Sequence, residues 1–282
     1  MSRTENLAAA ADVADADPDA AATATATDHA AACTPIRTPE EKRAFVHSVF
    51  ETISDDYDKM NDIESFRMHR TWKRRLVEQV IESLSSVASL APDTSPTILD
   101  VASGTGDIAI ALAAALPNAH VVGLDFSENM LAVARRRSES LSPEISRAEF
   151  IWGDALALPF ADNSIDALTI SFGLRNLPDY EAALREFSRV LRPGACFFCL
   201  EASYPTSPVI KPFFRLYFRH IMPLMASLVV GHRQQYQWLN DSTELFLSKP
   251  ELASLMEQCG FTDVSVQSFF FGVAALHRGL RL

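Results

Sequence analysis

The sequence has too few cysteines for a disulfide framework and too few basic residues for a nucleic-acid-binding face. Its 282 residues include only four cysteines, so the cytoplasm is the expected location. Lys and Arg number 25 against 36 Asp and Glu, which gives a net charge of −11 and argues against a nucleic-acid partner. The histidines outside the N-terminal tail lack the paired spacing of metal ligands, so no metal site is expected.

An uninterrupted apolar run long enough to span a bilayer is also missing. The most apolar stretch, residues 213–231, is broken by Arg215, Arg219, His220 and Pro223. Any contact with a membrane is therefore expected to be peripheral.

The N-terminal tail, residues 1–38, lacks aromatic side chains and consists mainly of Ala, Asp and Thr. Such a segment has little to bury, so we expect it to be disordered. It also lacks the apolar run of a signal peptide and the Arg-rich, acid-poor balance of a transit peptide. We interpret residues 1–38 as a solvated extension and residues 39–282 as one domain.

The rest of the chain alternates apolar strands with amphipathic helices. A helix is predicted from Pro39 onward and a second from about Ser65 to Ser86, ahead of the alternation. Strands that alternate with helices are typical of a parallel sheet covered on both faces. The sequence thus predicts a doubly wound, mostly parallel α/β fold with an N-terminal helical cap and an inserted helical lid at about 204–247.

Cys196 and Cys199 form a C-x-x-C pair within the apolar segment ACFFCLEA. Residues three apart in a strand point to opposite faces of the sheet. We therefore interpret the two cysteines as core residues rather than as a redox pair or half of a zinc site.

A glycine-broken loop follows the first predicted strand and ends the segment ILDVASGTGD. In doubly wound folds a ligand binds at this edge of the sheet, and Gly104 and Gly106 let it approach the backbone. The loop has neither the lysine of a P-loop nor the third glycine of a dinucleotide-binding motif. A cationic ligand without phosphate, such as S-adenosylmethionine, suits the carboxylates of Asp100 and Asp107, and a nicotinamide dinucleotide stays an alternative.

Two further aspartates end the next two strands. Asp125 closes the second strand, where its carboxylate can accept both hydroxyls of a ribose, in S-adenosylmethionine or in NAD. Asp154 follows the third strand and can accept from the amine of adenine, or it can cap a helix or a turn. The residues alone leave these choices open.

A more specific pattern is distributed over six segments. They are FETISDDYDKMNDIESFRMHRTWKR, DVASGTGD, GLDFSENML, DALALPFADNSIDALTISFGLRN, EFSRVLRPG and FGVAALHRG. Together they resemble the family of demethylmenaquinone and ubiquinone-pathway C-methyltransferases, from about Thr38 to the C-terminus. The resemblance implies a class I S-adenosylmethionine-dependent methyltransferase that methylates a ring carbon of a polyprenylated hydroquinone.

The resemblance also implies cofactor contacts, which add to those inferred from the loop. The implied contacts are Thr105, Asp125, Asp154, Ala155 and Ser171, besides Asp100, Gly104 and Gly106 of the loop. The family usually has Asn-Ala where this chain has Asp154–Ala155. An aspartate can accept from the adenine amine, but it cannot donate a hydrogen bond.

For the substrate, GLDFSENM together with YQWLNDST is more similar to the menaquinone branch of the family. The expected reaction is C-methylation of demethylmenaquinol, a 2-polyprenyl-1,4-naphthoquinol, to menaquinol, the last step of menaquinone biosynthesis. The equivalent step of ubiquinone biosynthesis and methylation of another small acceptor stay alternatives, as do a nicotinamide oxidoreductase and a non-catalytic binding protein. Trp238 and Ala202 depart from the family pattern on the substrate side, and a homodimer is left open.

Three residues are predicted to serve catalysis. Arg175 would stabilise the phenolate that develops on the ring, and Asn176 would hydrogen-bond a ring oxygen. Tyr57 would add an aromatic wall and a hydroxyl. The alternatives are a structural ion pair with a carboxylate for Arg175 and ordinary packing in the cap for Tyr57.

The remaining predictions concern surfaces. His69 lies within the basic run FRMHRTWKR, and we interpret it as a surface histidine on a helix face that can contact anionic lipid. The apolar stripe of the lid, around Phe214, fits either a core helix or a guide for an isoprenoid tail.

Overall fold

The computed structural model describes residues 38–53, 61–62, 65–88, 95–141, 147–205, 212, 216, 242–243 and 245–282. Tyr57, Trp238 and most of the predicted lid, residues 204–247, lie outside them. Contacts along the chain separate Met1–Thr38 from Pro39–Leu282, and all the helices and strands described lie in the second unit.

The described helices and strands follow the predicted alternation. The helices are α1 (Pro39–Ile53), α2 (Met68–Ala88), α3 (Asp107–Ala115), α4 (Glu128–Glu139), α5 (Tyr180–Val190) and α6 (Lys249–Gln258). The strands are β1 (Thr97–Val101), β2 (His120–Asp125), β3 (Glu149–Trp152), β4 (Ile165–Ser171), β5 (Leu191–Ala202), β6 (Phe261–Phe269) and β7 (Ala274–Arg281). Single 3₁₀ turns lie at Leu174–Asn176 and Phe270–Gly272.

These strands form one sheet in the order β3-β2-β1-β4-β5-β7-β6. The pairings from β3 through β5 are parallel, whereas β7 runs antiparallel to both β5 and β6. The predicted doubly wound, mostly parallel α/β fold is confirmed. Because the first four strands run in the same direction, their carboxyl ends meet at one edge of the sheet, where a site can form.

Each face of the sheet carries its own hydrophobic core. Ile98 and Cys196 belong to the core under α2 and α3, whereas Leu99 and Cys199 belong to the core under α5 and α6. The prediction that the two cysteines point to opposite faces is confirmed. Leu99 and its neighbours are fully buried, and each such side chain contributes about 1.5–3 kcal/mol.

Two boundaries differ from the predicted ones. Helix α2 begins at Met68 rather than near Ser65, because Phe66 and Arg67 have φ of 49° and 63°. A residue in this left-handed region cannot continue a right-handed helix. Strand β5 begins at Leu191, ahead of the apolar segment ACFFCLEA that predicted it.

The ends of α6 follow local rules of helix termination. Ser248 and Glu251 form a capping box at its start, where each side chain satisfies a backbone N–H of the other. Gly260 follows the helix with φ of 95°, the left-handed conformation with which many helices end. Within the part of the chain that the structure describes, no helix is long and apolar enough to cross a membrane.

Candidate active site

A cavity opens at the edge where the parallel strands end. It encloses about 780 Å³, including space open to solvent. The loops after β1, β2, β3 and β4 form its floor, and helix α1 closes one side. Its lining includes Arg43, Val46, Phe50, Ala102, Gly104, Asp125, Phe126, Asp154, Ala155, Ser171, Phe172, Gly173, Asn176 and Leu177.

The loop after β1 is bound tightly to β2. Gly104 donates its N–H to Asp125 Oδ2 at 2.8 Å, and Ser103 donates to the carbonyl of Leu124 at 3.0 Å. Gly106 has φ of 84°, and a Cβ there would lie 2.8 Å from the Phe150 ring. The loop therefore needs glycine at this position for conformation and for space.

Both carboxylate oxygens of Asp125 accept backbone N–H groups, from Gly104 and, at 2.9 Å, from Ser127. Burial raises the pKa of Asp125 to about 6, against the effect of these hydrogen bonds. The group is thus mainly ionised at neutral pH. A carboxylate has about four acceptor positions, so acceptor capacity is left for the ribose hydroxyls.

Asp100 lies below the glycine loop rather than on the cavity wall. Its Oδ1 accepts the Thr169 hydroxyl at 2.7 Å, and burial raises its pKa to about 7. Asp107 pairs with Lys73 at 2.7 Å and with Arg137 at 2.5 Å. Burial would raise the pKa of Asp107, but these two cations outweigh burial and hold it well below its usual range. The charge of Asp107 is therefore already compensated inside the protein, which the sequence pattern did not reveal.

Thr105 and Gly106 also lie outside the lining. Arg137 donates from Nη1 to the Thr105 carbonyl at 2.9 Å and to its hydroxyl at 2.8 Å. Of the three predicted loop residues from Gly104 to Gly106, the structure brings Gly104 to the cavity, and the other two shape the loop behind it.

Asp154 both shapes its own loop and lines the cavity. Its Oδ1 accepts the Leu156 N–H at 3.0 Å, which is the turn alternative noted above. Its Oδ2 lies 2.8 Å from Nη2 of Arg43 on α1. Ala155 lines the cavity beside it. Arg43 was missed from the sequence, where its only signal is helical spacing with Val46, another lining residue.

The loop after β4 brings Ser171 and Asn176 to the opposite wall. Ser171 Oγ is buried and has no hydrogen-bond partner among the described residues. Gly173 packs so closely that an added Cβ would lie 2.6 Å from Cβ of Ala102 in the loop after β1. Phe172 has φ of 57°, a strained conformation for a phenylalanine. The two loops thus pack against each other and fix each other's position at the cavity.

Arg175 is buried behind this wall and does not line the cavity. Its guanidinium pairs with the buried carboxylate of Glu201 and donates to the Phe172 carbonyl at 2.8 Å. Glu201 Oε2 also accepts the backbone N–H of Arg175 at 3.2 Å. Arg175 therefore forms the structural ion pair with a carboxylate that was the alternative to a catalytic role. Glu201 was missed because only its neighbour Ala202 stood out in the sequence.

Helix α1 is attached to the cavity loops by polar contacts. Lys42 donates from Nζ to the Leu177 carbonyl at 2.5 Å and to the Tyr180 hydroxyl at 3.1 Å, and burial lowers its pKa to about 8. Burial and the Glu201 charge raise the pKa of Tyr180 to about 12. The Ser127 hydroxyl, in the loop after β2, donates to the Glu51 carboxylate at 2.6 Å.

His69 is buried, so the prediction of a surface histidine is wrong. Its Nδ1 lies 2.6 Å from the Ser65 hydroxyl, and burial, together with the nearby Lys73 charge, lowers its pKa to about 4. Arg70 and Arg74 of the same helix are exposed. The basic residues around His69 in the sequence do not show whether the histidine itself is exposed or buried, because that depends on the segments packed against the helix.

The cavity suits S-adenosylmethionine on the evidence of its own groups: an unpartnered buried hydroxyl at Ser171, free acceptor positions on Asp125 and a close backbone approach at Gly104. The fold and this site define a class I S-adenosylmethionine-dependent methyltransferase. Residues 37–281 match the model of the ubiE/COQ5 methyltransferase family, and the chain belongs to this family.

Curated relatives agree with this classification, and solved structures agree with the fold. Demethylmenaquinone methyltransferases of Staphylococcus aureus strains JH9 and Newman are 44% identical over 237 residues, 84% of this chain and 92% of theirs. A SAM-dependent methyltransferase of Thermotoga maritima superposes with a TM-score of 0.55 at 18% identity, covering 84% of this chain and all of that one. A methyltransferase bound to the Haloferax volcanii Trm112 activator gives 0.54 at 17% identity, covering 82% and 97%. The two structures share the fold.

Proposed function

We propose that the protein methylates demethylmenaquinol on its quinol ring and produces menaquinol. The observation that carries this proposal is the 44% identity to demethylmenaquinone methyltransferases across 92% of their length. A bond forms between the methyl group and the ring carbon, the bond to sulfur breaks, and S-adenosylhomocysteine leaves. The ring carbon then loses its proton to solvent or a base.

The geometry supports a division of the cavity into a cofactor side and a ring side. On the cofactor side we assign Asp125 to the ribose hydroxyls, Asp154 and Ala155 to the adenine, and Ser171 to a polar group of the methionine part. Thr105, Gly106 and Asp100 hold the glycine loop against which the cofactor rests. S-adenosylmethionine itself supplies the activated methyl group.

On the ring side we assign Asn176, which lines the cavity, to a hydrogen bond with a ring oxygen. For Arg175 the contacts support a positioning role: it fixes the Phe172 carbonyl and thereby the loop that carries Asn176. If Arg175 stabilises the phenolate, its charge acts through the intervening loop, because the side chain does not line the cavity. Tyr57 stays a proposed aromatic wall, outside the described residues.

The proposal also includes peripheral contact with a membrane, where a polyprenylated quinol resides. Phe270 and Phe271 are 55% and 66% exposed in the turn between β6 and β7. Phe269, which precedes them, stacks on Trp72 of α2 at 6.2 Å, and Trp72 lies 6.4 Å from Phe172 of the cavity wall. Exposed aromatic side chains beside the basic face of α2 are typical of a surface that binds anionic lipid.

A radiolabel assay tests the reaction. The labelled methyl group of S-adenosylmethionine is offered, under reducing conditions, with demethylmenaquinol or with the ubiquinone-pathway quinol. We expect label in the naphthoquinol alone and a loss of turnover in Asn176→Ala. Label in the benzoquinol alone would move the enzyme to the ubiquinone branch. Label in neither, with S-adenosylhomocysteine bound, would refute the substrate assignment.

Vesicle sedimentation tests the membrane contact. We expect binding to vesicles that contain phosphatidylglycerol, weaker binding to phosphatidylcholine alone, and a loss in the double variant Phe270→Ser/Phe271→Ser. Val266→Ser, which changes an exposed apolar residue elsewhere on β6, is the matched control. Equal sedimentation of all variants would exclude this turn as the contact.

A further inference from the structure

Arg43 is the one cation among the described residues that line the cofactor cavity, beside the carboxylates of Asp125 and Asp154. It projects from α1, two turns before Phe50, which lines the same cavity. Without Arg43, two carboxylates would share this wall uncompensated, at a cost that rises as the cavity excludes water.

The contact of Arg43 is with one oxygen of Asp154, and the other oxygen is already bound. Oδ1 accepts the Leu156 N–H at 3.0 Å, and Oδ2 lies 2.8 Å from Arg43 Nη2. The two contacts together fix the plane of the carboxylate, because each oxygen has its own donor. Each oxygen keeps one further acceptor position.

This arrangement accommodates the charge that an aspartate brings to position 154. An asparagine at position 154 would be neutral and would need no counter-charge. The aspartate brings a negative charge to the cavity, and the structure supplies a guanidinium 111 positions earlier in the chain at ion-pair distance. We infer that Arg43 is a cofactor-positioning residue, which orients the Asp154 carboxylate toward the adenine amine and fastens α1 over the bound cofactor.

The inference predicts an effect on the recognition of adenine, not only on affinity. A fixed carboxylate accepts from the amine of an adenine ring and repels the carbonyl oxygen that replaces this amine in hypoxanthine. A carboxylate without Arg43 can rotate away from its acceptor orientation. Arg43 therefore contributes to the preference for an adenosyl over an inosyl ligand, through Asp154.

Calorimetric titration of four proteins tests this coupling: wild type, Arg43→Ala, Asp154→Asn and the double variant. The ligands are S-adenosylhomocysteine and S-inosylhomocysteine. Arg43→Ala is expected to raise the Kd of S-adenosylhomocysteine about three- to fivefold, in keeping with a half-exposed ion pair. It should also reduce the adenosyl-to-inosyl preference. In the Asp154→Asn background, the same change should leave both quantities within about a factor of 1.5.

Arg185→Ala is the matched control, because Arg185 is 58% exposed against 57% for Arg43 and its ion pair with Glu181 lies on α5. It should leave both Kd values unchanged. The inference is overturned if Arg43→Ala has no effect, or if its effect is equal in both backgrounds, since Arg43 would then act through packing of α1. Equal thermal midpoints of the variants exclude unfolding as the cause.

The inference rests on the cofactor and not on the quinol. Failure of the radiolabel assay together with the expected coupling would refute the proposed substrate and leave Arg43 in its role. Absence of S-adenosylhomocysteine binding in the wild-type protein would overturn both.

Discussion

The loops after β1 and β4 pack against each other beside the cavity, yet they are held by different kinds of charge pair. Behind the first, Asp107 is shared by Lys73 and Arg137, and all three side chains reach solvent. Behind the second, Arg175 and Glu201 are both buried, with exposed side-chain fractions of 7% and 2%. If one partner of the first cluster is removed, water can solvate the charges that are left. In the second pair, a charge left without its partner stays buried. The loop that carries Asn176 therefore depends on a single pair.

The largest expected effect comes from breaking that pair. Glu201→Ala leaves the Arg175 cation buried without its carboxylate, which costs about 3–5 kcal/mol of unfolding free energy. Glu201→Gln keeps the shape and an acceptor oxygen, so it should cost less. Denaturant unfolding measures both. Glu181→Ala, which removes an exposed carboxylate, is the control and should stay within about 0.5 kcal/mol. A stable Glu201→Ala would show that water reaches Arg175.

The next effect concerns the backbone of the first loop. Gly106→Ala places a Cβ 2.8 Å from the buried Phe150 ring, at φ of 84°. Strain and overpacking together should cost about 2–4 kcal/mol and weaken S-adenosylhomocysteine binding. Gly194 has φ of 80° with nothing within 4 Å of an added Cβ, so Gly194→Ala isolates the strain. Equal losses of unfolding free energy in the two variants would mean that the Phe150 ring moves aside without an energetic cost.

Removal of the shared carboxylate should have a smaller effect. Asp107→Asn deprives Lys73 and Arg137 of their partner, but both can turn to water, so we expect a loss of about 1–2 kcal/mol. The unfolding free energy of wild type and variant should also converge in acid. The pKa of Asp107 is lowered in the folded state, so its stabilisation is present above the ordinary pKa and disappears as pH falls through the folded value. A loss as large as that of Glu201→Ala would remove the contrast between the two clusters.

The smallest effect is on the pH dependence of cofactor binding. Burial raises the pKa of Asp125 to about 6, and ribose hydroxyls donate best to its ionised form. The affinity for S-adenosylhomocysteine should therefore be nearly constant above neutral pH and fall about tenfold by pH 5. Calorimetry over this range measures it. Asp100→Asn should keep the same pH profile. If the pH dependence of binding disappeared in this variant, the titrating group would be Asp100 instead.

Much of the fold could be predicted because its signals are local. Apolar periodicity identified the strands, and the position of Asp125 at the end of β2 followed from strand order alone. The contacts that complete the site could not be predicted, because they join distant segments. Arg43 meets Asp154, and Arg175 meets Glu201, through packing that no spacing along the chain records. The prediction of a surface histidine at position 69 was wrong for the same reason. The residues that bury His69 could not be identified from the helix sequence.

The division of the core into two faces has a practical consequence. Cys196 and Cys199 are both nearly inaccessible, yet their sulfurs belong to different cores. A thiol reagent can reach each one only when the helices on its own side separate from the sheet. Mass-spectrometric labelling rates at the two positions would therefore report two local opening events within a single strand, and their ratio would show which side of the sheet releases its helices first.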